Sequence, residues 1–304
     1  MAHSEPELLW ELLWVFLGAT VGLSPTLCSC ISNFQNAASG QLRLKKSLVF
    51  DICILTLIFA VDFFDAVVDL MIFFRVLING ADGRGYRYGI LLGIMTILSR
   101  ILTGVFGVYY KIESKQLQTE KHKVHFDNVA LATLGFVETT VFMMEDGAAI
   151  LYLANTVYEE NTPNDPLTLS NLILTTVCGG IYCLFSLKNY GHIIETIRVL
   201  LNEAFPNDTV PVKVAKGAPV IFMYLTCVGF AISMIVLLVT EGWNKNDSGL
   251  SEKDSTSWLI VYAVGVFLCL LYSLALIFAL EWSRKTVQKV VHIQDSHLGL
   301  ISMT

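Results

Sequence analysis

The chain is expected to fold as an all-α bundle of about seven transmembrane helices, one domain over residues 1–304, with the N-terminus outside and the C-terminus cytoplasmic. Three observations lead there. Apolar residues make up 54% of the 304 residues and charged residues only 15%, whereas soluble domains carry about 25% charged residues. Mean hydropathy is +0.62. Seven stretches reach the roughly 20 apolar residues that cover a hydrocarbon core, and Lys and Arg are unevenly shared between the segments that connect them. So little polar surface cannot coat a water-soluble particle of this size, which excludes a cytosolic enzyme and a disordered chain. The net charge of −6 excludes nucleic acid as a partner, because phosphate backbones demand clustered Lys and Arg.

The first span runs from about Leu8 to Ile31. Its leading residues are acidic (Glu5, Glu7, Glu11) and no Lys or Arg precedes Arg43, so it reads as a span and not as a secretory signal, which starts basic. Ser4 with Glu7 fits a capping box, Pro6 suits a first turn, and Trp10 and Trp14 suit the headgroup level. The second span covers Leu48 to Phe74, the third Tyr88 to Tyr110 and the fourth Asn128 to Ala154; these three contain charges. The fifth, Thr168 to Leu187, the sixth, Gly217 to Thr240, and the seventh, Ser257 to Leu280, contain none. Gly89 and Gly93 form a GxxxG in span three, with Gly104 and Gly107 following, and Gly179-Gly180 lies in span five; small residues of this kind let helices approach closely. Ser24-Pro25 should kink span one, and Pro219 should open span six.

The connections are short. Asn79 to Gly83 reads as a turn and Glu159 to Pro166 as an acidic turn. The longest, Lys188 to Lys216, begins with Ile193, Ile194, Ile197, Leu200 and Leu201 at helical spacing. It should prolong span five as an amphipathic helix at the cytoplasmic surface. Fourteen of the 20 Lys and Arg fall in alternate loops and the C-terminal tail and five in the opposite loops, with Arg100 inside a span. The basic side is expected to be cytoplasmic. Asn246-Asp247-Ser248 then lies outside as a glycosylation sequon, and Asn207-Asp208-Thr209 lies inside.

Ionisable residues inside the spans carry the functional signal, since each costs at least about 2.5 kcal/mol at the bilayer centre. Span two holds Asp51, Asp62, Asp65 and Asp69. At 100° per residue these four share a stripe about 60° wide, which must face the bundle interior or water. Span four holds Glu138, Glu145 and Asp146, and span three holds Arg100. Asp62, Asp65 and Glu138 are the expected partners of Arg100. The midplane pair Asp62 and Asp65 is the expected binding point for protons or cations, with Asp51 and Asp69 in water toward the two ends. The acids outnumber the arginine, which suits a cation path and opposes an anion path. A purely structural polar core is the competing reading.

No catalytic or cofactor-binding motif stands out. Cys28-x-Cys30 lacks the spacing of a zinc site and no His cluster accompanies it, so no metal site is expected. Cys28, Cys30, Cys53, Cys178, Cys183, Cys227 and Cys269 read as small buried hydrophobes. Seven spans suggest a receptor, yet span three lacks the acidic-Arg pair of rhodopsin-like receptors, ending in Val108-Tyr109-Tyr110-Lys111. Span seven lacks their Asn-Pro and Tyr pattern and any Lys for a retinal.

The run Phe142 to Leu151, with Glu145-Asp146-Gly147 inside it, continues through Asn171 to Leu187, then Lys188-Asn189-Tyr190 and Ile193 to Leu200. With Val61-Asp62-Phe63-Phe64-Asp65 earlier, it resembles the transmembrane protein 26 family, and the likeness spans about a third of the chain. It implies a multi-pass membrane fold and brings no activity with it. A looser likeness is to XK-related membrane proteins, some of which scramble lipids; their Pro-Gln after the acidic residue is replaced here by Gly147-Ala148. The expectation is a non-enzymatic integral protein of the plasma membrane or an endomembrane, with an acidic interior serving proton or cation movement. The alternatives are a seven-span receptor or interaction protein, and a lipid transporter or scramblase. The expected partners are membrane lipids and protons or small cations; a homo-oligomer stays open.

Overall fold

The computed structural model describes residues 46–79, 83–116, 120–156, 166–205, 207–243 and 250–301; within 46–59, 106–136 and 279–301 it describes the helical path alone. The first expected span with Cys28 and Cys30, the side chains of Asp51 and Cys53, the Asn246 sequon and most of the Glu159–Pro166 turn lie outside the described residues. The described residues are helical and contain no strand. We label the helices α1 (Lys46–Asn79), α2 (Arg84–Gln116), α3 (Glu120–Thr156), α4 (Pro166–Ala204), α5 (Val210–Leu237) and α6 (Glu252–Ile301), with a π-helical turn, Leu238–Gly242, ending α5. They correspond in order to expected spans two to seven.

Helix α3 is the centre of the bundle. It packs against α2, α4, α5 and α6, while α1 closes the far side by packing on α2 and α4. Every residue from Phe142 to Thr156 is buried, as befits a helix enclosed on all faces. Among the described residues, four stretches are long and apolar enough to cross a membrane: Gly85–Val105, Pro166–Leu184, Val210–Gly242 and Glu252–Phe278. The described parts of α1 and α3 carry more charge, Asp62, Asp65, Asp69 and Arg75 in one and Glu138, Glu145 and Asp146 in the other. Helices α5 and α6 each expose an apolar stripe: Phe222, Leu225, Ile232, Val236 and Val239 on the first, and Ile260, Val264, Phe267, Leu271, Leu274 and Phe278 on the second. Spacings of three, four and seven residues set each stripe on one helix face.

Close approach of α1 and α2 rests on the GxxxG. A Cβ on Gly89 would lie 2.8 Å from Val76 Cγ2, and one on Gly93 would overlap the Phe73 ring. Between them, Gly83 takes a φ of 148°, which a side chain would resist. Two boundaries differ from the expected ones. Helix α5 begins at Val210 with a proline in its first turn, so Pro219 lies inside the helix instead of opening it. Helix α4 continues unbroken for 39 residues to Ala204, as the Ile and Leu spacing predicts. Ile193 and Ile197 are buried, and Ile197 and Leu201 lie 3.1 Å from where a Gly217 Cβ would stand. That part of the apolar stripe is covered by α5, while Ile194 stays exposed.

Candidate functional site

The acids of α1 and α3 converge where α1, α2, α3 and α4 meet. Helix α1 supplies Asp62, Asp65 and Asp69 at i, i+3 and i+7, so they point the same way. Helix α2 supplies Thr96, Ser99 and Arg100, α3 supplies Glu145 and Asp146, and α4 supplies Asn171, Thr175 and Cys178 at i, i+4 and i+7.

Arg100 is held by two acids. Its Nη1 donates to Asp62 Oδ2 at 2.5 Å and its Nη2 to Asp62 Oδ1 at 3.0 Å, with the Asp62 carbonyl at 3.3 Å. The same Nη2 forms an ion pair with Glu145 Oε1. The other Glu145 oxygen accepts from Ser99 Oγ at 2.7 Å. The fork geometry of guanidinium on carboxylate explains why Arg, and not Lys, suits this place. Asp62 is the outward member, with 40% of its side-chain surface exposed, while the Arg100 and Glu145 side chains are enclosed.

Asp69 is met by neutral donors. Asn171 Nδ2 reaches its Oδ1 at 2.6 Å and Thr96 Oγ1 its Oδ2 at 3.4 Å, and Thr175 Oγ1 in turn donates to Asn171 Oδ1 at 3.2 Å. Asp65 and Asp146 are treated differently. They are 2% and 8% exposed, and Oδ1 of each has no hydrogen-bond partner among the described residues. Carboxylate oxygens of both and the Cys178 sulfur all lie within 4.8 Å of one another. Asp65, Asp69 and Glu145 make a second such group.

The backbone of α3 is placed to present Glu145 and Asp146 by a contact from α6. Tyr262 Oη donates to the Met144 carbonyl at 2.9 Å, and its ring lies against Gly147, where a Cβ would come within 3.0 Å of Cε2. Glycine after Asp146 lets the tyrosine come this close.

The structure thus brings together Asp62, Asp65, Asp69, Arg100, Glu145 and Asp146. Among the expected partners of Arg100, Asp62 makes the contact. Glu138 is exposed and about 10 Å along α3 from Glu145, at 1.5 Å per residue, and it is Glu145 that takes the second place. Asp51 lies on α1, its side chain outside the described residues. Asp69 is fully buried instead of standing in water beyond the midplane pair, and Asp62 is the acid that reaches the surface. Sequence reasoning missed Asn171, Thr175 and Cys178. Their signal was a polar stripe at helical spacing in an otherwise apolar span.

Five carboxyls surround one guanidinium, a formal surplus of four negative charges if all are ionised. A dry carboxylate is accommodated only as the neutral acid or beside a cation. The cluster is therefore chemically suited to holding protons or cations. Comparison with known protein families, curated proteins and solved structures finds no match to this chain.

Proposed function

We propose that the chain is a multi-pass membrane protein of about seven spans, its N-terminus outside, whose buried acidic cluster takes up and passes protons or cations. The apolar stripes exposed on α5 and α6 support a lipid surround, since faces of this kind are unfavourable in water. The functional part rests on one observation. The arginine pairs with Asp62 and Glu145 through its terminal nitrogens, and Asp69 is met by Asn171 and Thr96, yet Asp65 and Asp146 stay buried with an oxygen each unbonded among the described residues. A structural polar core accounts for the first four residues. It gives no reason to retain the last two, which cost stability unless they serve a task.

The test is ion flux into liposomes containing the purified full chain, read with a pH-sensitive dye and with cation-sensitive dyes. The Asp65→Asn/Asp146→Asn double variant keeps volume and hydrogen bonding and should fall to the level of empty liposomes. Arg198→Ala, which removes only an exposed pair with Glu195, should match the wild-type chain. A folded double variant with wild-type flux, or a wild-type chain that carries no proton or cation, would overturn the proposal.

A further inference from the structure

The structure assigns the Asp65, Asp146 and Cys178 triad as a binding site for one divalent transition-metal ion of borderline softness, of the zinc or cobalt type. This rests on, and sharpens, the reading of the acidic cluster as a cation path. Three independent features converge on it. Ligand atoms of all three residues lie within 4.8 Å of one another, close enough that small side-chain shifts would bring them onto a single ion at about 2.0–2.3 Å from each. The two carboxyls are more than nine-tenths buried and each carries an oxygen with no hydrogen bond, so acceptor capacity is waiting inside the site. Outside the triad, Asp62 and Glu145 share Arg100, and Asp69 accepts hydrogen bonds from two neutral donors. Asp65 and Asp146 stand outside that ion-pair network, and a divalent ion bound between them would reduce the local surplus of negative charge.

The donor set chooses among divalent ions. Calcium takes six to eight oxygens and magnesium a near-octahedral set of them; a site of two carboxylates and one sulfur serves neither well. Sulfur favours zinc and its neighbours. Cys178 carries a thiol whose sulfur lies within 4.8 Å of an Asp65 carboxylate oxygen. When the metal–sulfur bond forms, that thiol proton leaves and passes to solvent, and the metal takes its place between the two residues. Three protein ligands leave a coordination position open, through which an ion can be received and handed on. The second group, Asp65 with Asp69 and Glu145, shares Asp65 with the triad and offers the next set of oxygens along α1.

The experiment is titration of the purified full chain in detergent with Co2+, read by visible absorption and by the near-ultraviolet thiolate-to-cobalt charge-transfer band, with Zn2+ as competitor. The wild-type chain should show a saturable charge-transfer band that Zn2+ abolishes. Cys178→Ser should lose the band and Cys183→Ser should keep it. Asp65→Asn and Asp146→Asn should each weaken Co2+ binding by at least about tenfold, no less than is typical for loss of an outer-shell partner. If an aspartate variant fails to fold, Cys178→Ser carries the test, because it preserves size and hydrogen bonding. Absence of the band in the wild-type chain, or its persistence in Cys178→Ser, overturns the assignment. A wild-type chain that binds no Co2+ yet carries protons or sodium in liposomes overturns this site and leaves the broader proposal standing. Cys178-dependent Co2+ binding without flux of any ion supports the site and overturns the pathway.

Discussion

On the side of α3 where α5 and α6 pack, the interhelix hydrogen bonds away from the exposed surface join neutral groups: Tyr262 to the Met144 carbonyl, Tyr272 to the Val220 carbonyl, Tyr224 to the Ser186 carbonyl, and Thr140 to Ser273. On the side where α1, α2 and α4 pack, acids crowd one arginine, and two carboxyl oxygens go without a partner among the described residues. The first arrangement joins helices at low cost, since a hydroxyl on a backbone carbonyl asks for no counter-charge. The second holds groups that are expensive to bury, and holds more of them than packing requires. The difference separates a supporting half of the bundle from a half organised around chemistry, and mutations should respond differently on the two sides.

The largest effect is expected at the arginine. Arg100→Leu leaves Glu145 buried without its counter-charge, and breaking such a pair from one side costs about 3–5 kcal/mol. Asp62 should contribute little of this, because its side chain is 40% exposed and water can replace the guanidinium. Unfolding of the detergent-purified chain measures the loss. Adding Glu145→Gln to Arg100→Leu should recover most of it, whereas adding Asp62→Asn should recover little. A loss below about 1 kcal/mol, the range of an exposed pair, would show that the pair is solvated and that the two halves do not differ in this respect.

That Arg100 meets an acid was legible in the sequence, with Asp62 one of three candidates, because four aspartates on one helical stripe need an interior, and a lone arginine in an apolar stretch needs an acid. The helical bundle and close packing at Gly89 and Gly93 were legible for similarly local reasons, though not that α1 is the helix packed there. The second partner of Arg100 was not. Matching span midpoints points to Glu138, but α2 and α3 extend beyond their apolar stretches, so the midpoint of a hydrophobic window is a poor measure of depth. The level is set by Ser99 and Arg100 meeting Glu145. Asp69 was misjudged for a different reason. Position along a helix is a poor guide to hydration, since Asn171 on α4 reaches Asp69 and encloses it. Asn171, Thr175 and Cys178 stayed hidden because neutral polar residues blend into an apolar span. Their meaning depends on which helix α4 faces, a tertiary fact that one sequence does not print.

In the supporting half the expected effect is smaller and has a definite sign. Tyr262→Phe removes the hydroxyl that donates to the Met144 carbonyl at 2.9 Å and leaves the ring against Gly147. The loss should be about 1 kcal/mol, the net worth of one buried hydrogen bond. It should be the same in the wild-type chain and in Asp146→Asn if Tyr262 only positions the helix. A change of several kcal/mol, or a strong dependence on Asp146, would make the tyrosine part of the charged cluster and blur the division between the halves.

The smallest expected effect has the opposite sign, and it is the sharpest test of the comparison. Asp146→Asn exchanges one acceptor oxygen for an amide donor in a cluster oversupplied with acceptors. Asp65 is close by, since ligand atoms of the two residues lie within 4.8 Å of each other, and its Oδ1 has no partner. The amide can donate to that oxygen, and one carboxyl that had to be buried disappears. Stability should therefore stay level or rise, by up to about 1 kcal/mol, as substitutions at strained functional positions commonly do. The same variant should lose Co2+ binding and ion flux. Thermal unfolding and metal titration on one preparation measure both. Removing a polar group from the α5–α6 side costs stability and leaves function, while removing one here keeps stability and costs function. A loss of more than about 1 kcal/mol in Asp146→Asn, typical of a buried group deprived of a bond it was making, would mean that Asp146 is an ordinary packing residue. The excess of acids would then need another explanation.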